Sequence, residues 1–179
     1  MSETDLRYPI GQAELPAGPL SFGARMALMA QMAMLPDQVR AAAAGLTPEQ
    51  LNTPYRPGGW TVRQVLHHLP DSHMNAYMRF RLALTEDVPT IKPYDEGAWA
   101  ELPDVAATSV GVSLSLLNAL HSRWTTLLRQ LTEEQWARRF YHPGSQKEFT
   151  LDQALAMYAW HGRHHLAHIS SLRDREGWW

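Results

Sequence analysis

The feature that most constrains this chain is a run in which four of its nine histidines fall within eight residues, His161-Gly162-Arg163-His164-His165-Leu166-Ala167-His168. Read as a helix at about 100° per residue, Leu151, Ala154, Leu155, Tyr158, Gly162, Ile169 and Leu172 form one apolar stripe, and His161 and His165 lie on it. Side chains four apart stack on one helix face, so two ring nitrogens of this pair can reach a single ion. His164 and His168 form a second such pair, expected on the flank of the helix. A core-facing pair must be hydrogen-bonded or bound to metal, because burying a bare polar nitrogen costs on the order of 2 kcal/mol or more. The alternative is a set of ordinary core or surface histidines that satisfy one another.

The 179 residues fit one domain spanning 1–179, with residues 1–20 as an extended arm. A formal net charge of −2 and the lack of any basic cluster argue against nucleic acid as a partner. There is no cysteine, so any metal must be held by His, Asp or Glu, and any thiol chemistry must use a thiol from another molecule. The start, Met1-Ser2-Glu3-Thr4-Asp5, is acidic and no apolar run is long enough to cross a bilayer. The expectation is a cytoplasmic protein that acts on a small molecule without contacting membrane, assembled as a homodimer.

Pro9, Gly11, Pro16, Gly18 and Pro19 keep the arm extended. Ser21 to Ala44, rich in Ala, Met and Leu, reads as a first long helix bent at Pro36, with Met26, Met29, Met32 and Met34 as adaptable core packing. Thr61-Val62-Arg63-Gln64 is a capping box opening a second helix to about Glu86, with Val62, Val65, Leu66, Leu69, Ala76, Phe80 and Leu84 facing inward and Pro70 inside it. Prolines and glycines make residues 87–108 a long crossover, with at most a short turn around Ala98 to Glu101. A third helix runs from Ser109 to Leu131 on Val112, Leu116, Leu120, Trp124 and Leu127/Leu128, Tyr141 to Gly144 is a break, and Thr150 to Gln153 caps a fourth. The signals recur in order. Thr47 with Gln50, Tyr55, Pro57-Gly58 and Thr61 with Gln64 return as Thr132 with Gln135, Tyr141, Pro143-Gly144 and Thr150 with Gln153, at offsets of 85 to 89 residues. This pattern predicts an all-α four-helix bundle made of two related hairpins joined by the long crossover.

A reactive centre wants a third ligand and an open position, and the second helix is the obvious donor. Periodicity leaves His68 and His73 nearly even, with His67 behind. For proton transfer the sequence has no Glu in a His-Glu-x-x-His arrangement, which leaves Asp71, His73, Asp95 and Glu96 as candidate catalytic groups. Trp60, Tyr94, Asp95, Trp99 and His142, in the connectors, are expected to line the mouth and contact substrate.

The stretches Gly59-Trp60-Thr61-Val62-Arg63-Gln64-Val65-Leu66-His67-His68-Leu69 and Trp160-His161-Gly162-Arg163-His164-His165, together with Tyr8 to Gly11, Lys92 to Asp95 and Phe140 to Pro143, resemble the DinB superfamily and its YfiT-like branch. The resemblance spans nearly the whole chain. It implies a bundle in which His68, His161 and His165 hold one divalent ion, zinc or nickel, and it implies a metal-dependent hydrolase. Related members of the superfamily are thiol-dependent S-transferases, so bacillithiol or mycothiol as cosubstrate is a second implied chemistry. A non-catalytic metal-binding bundle is a third reading. Pro70 departs from the small helix former expected at that position.

Overall fold

A computed structural model describes residues 5–179; residues 1–4, the tip of the expected arm, lie outside the described residues. Four long helices carry the fold: α1 (Phe22–Ala43), α3 (Val62–Thr85), α6 (Val110–Leu128) and α8 (Leu151–Glu176). Between them lie four short helices, α2 (Pro48–Leu51), α4 (Glu96–Ala100), α5 (Pro103–Ala107) and α7 (Glu133–Trp136), and a hairpin of β1 (Arg139–His142) and β2 (Lys147–Thr150). Each of α2, α3, α7 and α8 begins at a threonine whose hydroxyl accepts from the N3 amide while the N3 glutamine side chain accepts from the threonine amide. Four reciprocal capping boxes thus fix where these helices start, and with that the phase of every side chain along them. Both α1 and α3 continue through their internal prolines, Pro36 and Pro70.

The two halves do repeat, and the structure explains the drift in offset. After α2, the amide of Val62 donates to the carbonyl of Thr53, closing a tight loop; after α7, the amide of Leu151 donates to Arg138 in the corresponding place. The loop of the second half is longer by the extra residues of the β1–β2 hairpin, which pairs Arg139 with Thr150 through His142 with Lys147. The break expected at Tyr141 to Gly144 is therefore a strand end and its turn. Residues after α3 join this hairpin edge, with the amide of Ile91 donating to Tyr141 and that of Tyr141 to Pro89. The crossover also holds α4 and α5 in place of a single turn.

The halves are not side-by-side hairpins, however. Helix α1 packs against α8 and α6, and α3 packs against α6 and α8, so helices adjacent within a half lie diagonally across the bundle. The core divides into two apolar layers. One contains Met29, Met32, Phe80, Trp124, Leu151, Leu155 and Tyr158; the other contains Leu35, Val39, Leu66, Leu69, Leu117, Ile169 and Leu172. Met26 and Met34 face solvent, as do Val112 and Leu116, while Ser113, Leu117 and His121 are buried. Helix α6 is apolar on most faces, which is why its inward phase is not fixed by periodicity.

One end of the bundle is held by a buried ion pair. Arg25 donates from Nε to Asp152 Oδ1 at 2.7 Å and from Nη2 to Oδ2 at 2.9 Å, and its Nη1 reaches Glu133 at 2.6 Å. Asp152 also accepts the amide of Leu20, so this pair docks the arm and α1 onto α8. Removing one partner leaves a buried charge uncompensated. Arg25→Met is expected to lower the unfolding free energy by roughly 3–5 kcal/mol in urea titration, and the double variant Arg25→Met/Asp152→Leu to recover much of that loss; an effect of Arg25→Met no larger than that of a surface substitution would contradict this account.

Candidate metal centre

Between the two apolar layers sits a layer of histidines. The caps at Thr61 and Thr150 set the phase that turns His68 of α3 and His161 and His165 of α8 toward one another. Gly162 lets α1 approach α8 beside them, since a Cβ there would run into the side chain of Leu35. One ring nitrogen from each of His68, His161 and His165 lies within 4.8 Å of the others. Nε2 of His68 and Nε2 of His161 are 3.3 Å apart. An ion bound tetrahedrally at about 2.0–2.1 Å needs ligand nitrogens roughly 3.3–3.4 Å apart, so this donor set fits one divalent ion. Imidazole donors suit zinc and nickel alike.

The protonation state suits the same role. Burial pushes the His68 imidazole down to about 4. Burial, and then the neighbouring imidazoles, hold His161 and His165 well below the ordinary value. Neutral rings have lone pairs to give. Among the described residues no carboxylate joins this donor set, which leaves the charge of a bound ion undiminished by its ligands.

The site opens into a cleft of about 450 Å3 lined by Trp60, Ser72, Arg79, Pro93, Tyr94, Glu96, His142, Met157, Tyr158 and Trp160 around the three imidazoles, with His164 at its edge. Trp60, Tyr94 and His142 thus stand where the sequence suggested. The Trp60 ring is 4.7 Å from that of His68 and lies nearly parallel to that of His165. Asp95 and Trp99 do not line the cleft. Asp95 caps α4 by accepting the amide of Ala98 at 2.9 Å, and Trp99 packs on Tyr94. Of the proposed catalytic groups, only Glu96 borders the cleft. Asp71 lies outside it, with desolvation and then Asp104 pushing its carboxyl up to about 6. His73 is wholly enclosed, and its Nε2 contacts Nδ1 of His161 at 3.1 Å from behind. His73, sealed from the cleft, and Asp71, half-exposed but outside its lining, do not stand where a substrate in the cleft would meet them.

Several cleft residues escaped the sequence reading. Arg79 donates to the Tyr158 hydroxyl at 2.9 Å and has no carboxylate partner among the described residues. Ser72 sits one helical turn beyond His68, 3.5 Å from His161 Nε2. Arg79 follows Ser72 by seven residues, the spacing of one helix face, and that phase was the available signal. His164 and His168, expected on the flank of the helix, are also buried, covered by the arm, Trp160 and Tyr55.

The buried histidines make stability depend on pH. In an unfolded chain each imidazole protonates near about 6.5. In the folded chain burial lowers His68, His121 and His168 to about 4. Between those values the unfolded state binds more protons, so their contribution is present above the unfolded value and is lost as pH falls through the folded ones. The urea midpoint of chelator-treated protein is expected to be flat from pH 8 to 7 and to fall steadily from pH 6.5 to 4. A midpoint unchanged across that lower range would mean the histidines are not buried in neutral form.

Comparison with known proteins agrees with this geometry. YfiT of Bacillus subtilis is 49% identical over 178 residues, covering 99% of each chain, and a protein of Bacillus cereus is 52% identical over 174 residues, covering 97% of this chain and 99% of its own. The names of both propose metal-dependent hydrolase activity. The solved structure of YfiT, described as a four-helix bundle of unusual topology, superposes with a TM-score of 0.95 over 97% of this chain and 99% of that one. The DinB superfamily model matches residues 31–169, and the chain belongs to the DinB superfamily.

Proposed function

We propose that this chain is a metal-dependent hydrolase of small molecules, with His68, His161 and His165 holding one zinc or nickel ion. The observation that carries the reading is the open side of the histidine trio. Three neutral imidazoles converge at the floor of a solvent-connected cleft and, among the described residues, no fourth protein ligand closes the set, the arrangement of a catalytic centre as opposed to a structural one. A divalent ion there supplies Lewis acidity toward a water, carbonyl or thiol entering the cleft. The chain's own residues do the rest. Glu96, the carboxylate on the cleft wall, can accept a proton; Trp60, Trp160 and Met157 give apolar walls that exclude water; Arg79, fixed by Tyr158, offers a cation to an anionic group of the substrate.

Transfer of a low-molecular-weight thiol such as bacillithiol is the second reading. It is favoured by the absence of cysteine together with a cleft whose carboxylate lies on an exposed residue, because a metal-bound thiol needs little help to ionise.

Elemental analysis is expected to find about one zinc or nickel ion per chain in the wild type, and far less in His161→Ala and His165→Ala. Full retention in either variant would sink the site. Metal-loaded protein is then offered activated esters and amides, and separately a chlorinated nitrobenzene with and without bacillithiol. Thiol-independent cleavage supports the hydrolase; conjugation that needs both metal and thiol, without cleavage, supports the transferase. For the hydrolase, Glu96→Gln is expected to reduce kcat by roughly 10²–10⁴ with metal content unchanged.

A further inference from the structure

Three histidines that do not line the cleft, His73, His121 and His168, form two hydrogen-bonded chains, each running from a backbone carbonyl to one of the α8 ligands. In the first, Nδ1 of His121 lies 2.6 Å from the carbonyl oxygen of Met32. A carbonyl only accepts, so His121 carries its proton on Nδ1 and, being neutral, presents a lone pair at Nε2. Nδ1 of His73 is 2.8 Å from that lone pair and therefore donates to it, which leaves His73 Nε2 bare. Nδ1 of His161, 3.1 Å from His73 Nε2, must then be the protonated nitrogen of its ring. The second chain has the same logic. Nε2 of His168 donates to the carbonyl of Arg7 at 3.2 Å, so its Nδ1 is bare and receives a proton from Nδ1 of His165 at 3.3 Å. Both chains require neutral rings, and an imidazolium is disfavoured in them because, among the described residues, no carboxylate hydrogen-bonds any of the five.

We propose that these two imidazole chains set the tautomers of His161 and His165, so that both rings carry hydrogen on Nδ1 and turn a bare Nε2 to the ion, which makes His73, His121 and His168 positioning residues for the centre. The consequence for metal rests on the assignment of His68, His161 and His165 as ligands; the tautomers themselves do not. A neutral histidine in solution must otherwise give up its Nε2 proton or change tautomer before that nitrogen can bind. The arrangement replaces the carboxylate or single carbonyl that usually orients a metal-binding imidazole with a relay of two rings on one side and one on the other. His164, His165 and His168 also bring ligand nitrogens within 4.8 Å of one another, but this set shares His165 with the first, and Nδ1 of that ring is engaged with His168.

Long-range proton–nitrogen correlation spectra of metal-free, 15N-histidine-labelled wild type at pH 7.5 read each tautomer directly. The expected result is Nδ1–H on His161, His165, His73 and His121, and Nε2–H on His168; Nε2–H on His161 or His165 overturns the proposal, whatever the variants do. Zinc affinity, measured by competition with a chelating dye, supplies the second arm. His121→Leu removes the anchor and is expected to weaken binding roughly 10–100-fold. His121→Gln retains one donor for Met32 and one acceptor for His73, and is expected to stay within about threefold of wild type. His168→Leu and His168→Gln should behave likewise. Urea midpoints taken alongside separate lost affinity from lost fold, and equal affinity for the Leu and Gln variants overturns the positioning role. Two zinc ions per chain would overturn it in favour of a second site, whereas a wild type that binds no zinc defeats the metal reading and leaves the spectra to decide the tautomers.

Discussion

Everything in this bundle is arranged around the cost of placing imidazoles where water cannot reach them. The hydrogen-bonded path from Met32 to His121, His73 and His161 steps through α1, α6, α3 and α8 in turn, so one polar thread touches all four long helices. The apolar layers above and below stop at it: on α3, Leu69 belongs to one layer and Ala76 to the other with His73 between, and on α6 His121 divides Leu117 from Trp124 in the same way. Apolar packing tolerates a helix sliding or turning by some fraction of an ångström; a buried ring nitrogen without a partner does not, because it forfeits its solvation with nothing in return. The histidine layer therefore fixes the relative heights of the helices, and the hydrophobic layers fill the space this leaves.

The same economy of charge shapes the cleft. The buried ion pair that docks the arm, between Arg25 and Asp152, lies outside the cleft, and no carboxylate among the described residues joins the imidazole layer. What charge the cleft has is on its walls, where Arg79 and Glu96 stand on α3 and α4. Charges at the walls can act on a substrate, while neutral groups at the floor leave an ion's field intact. The separation follows from where each residue sits: the long helices bring rings to the middle, and the wall charges come from Arg79 nearly two turns beyond His73 on α3 and from Glu96 on the short helix α4.

How much of this could be read beforehand depended on the kind of signal. The four long helices, the Thr-x-x-Gln starts of α3 and α8 and the His161/His165 pair were legible because each rests on local spacing. The choice of His68 over His73 was not settled by spacing, since both fall near the inward face of α3; the resemblance to the DinB superfamily pointed to His68, and the structure puts His68 on the cleft and His73 behind it. His121 went unnoticed because the stripe through Val112, Leu116, Leu120 and Trp124 looked as good in sequence as the buried face, which runs through Ser113, Leu117, His121 and Trp124. The β1–β2 hairpin was hidden by its shortness, although Arg139-Phe140-Tyr141-His142 and Lys147-Glu148-Phe149-Thr150 flank a Pro-Gly turn in the manner of paired strands. Arg79 and Ser72 belong to a face defined only once the cleft is known.

The diagonal placement of helices within each half has a consequence for how the chain comes to its native state. A helix and its successor in the same half do not cover one another, so neither half buries its own apolar face, and each waits for a partner from the other half. Closing those distant pairs costs loop entropy before any packing returns it. With its helix pairs formed across the two halves, this bundle has a higher contact order than one built of adjacent hairpins and is expected to fold more slowly than such a bundle. A duplicated ancestor with this architecture would have had to fold as a pair of chains, each threading its helices between those of the other.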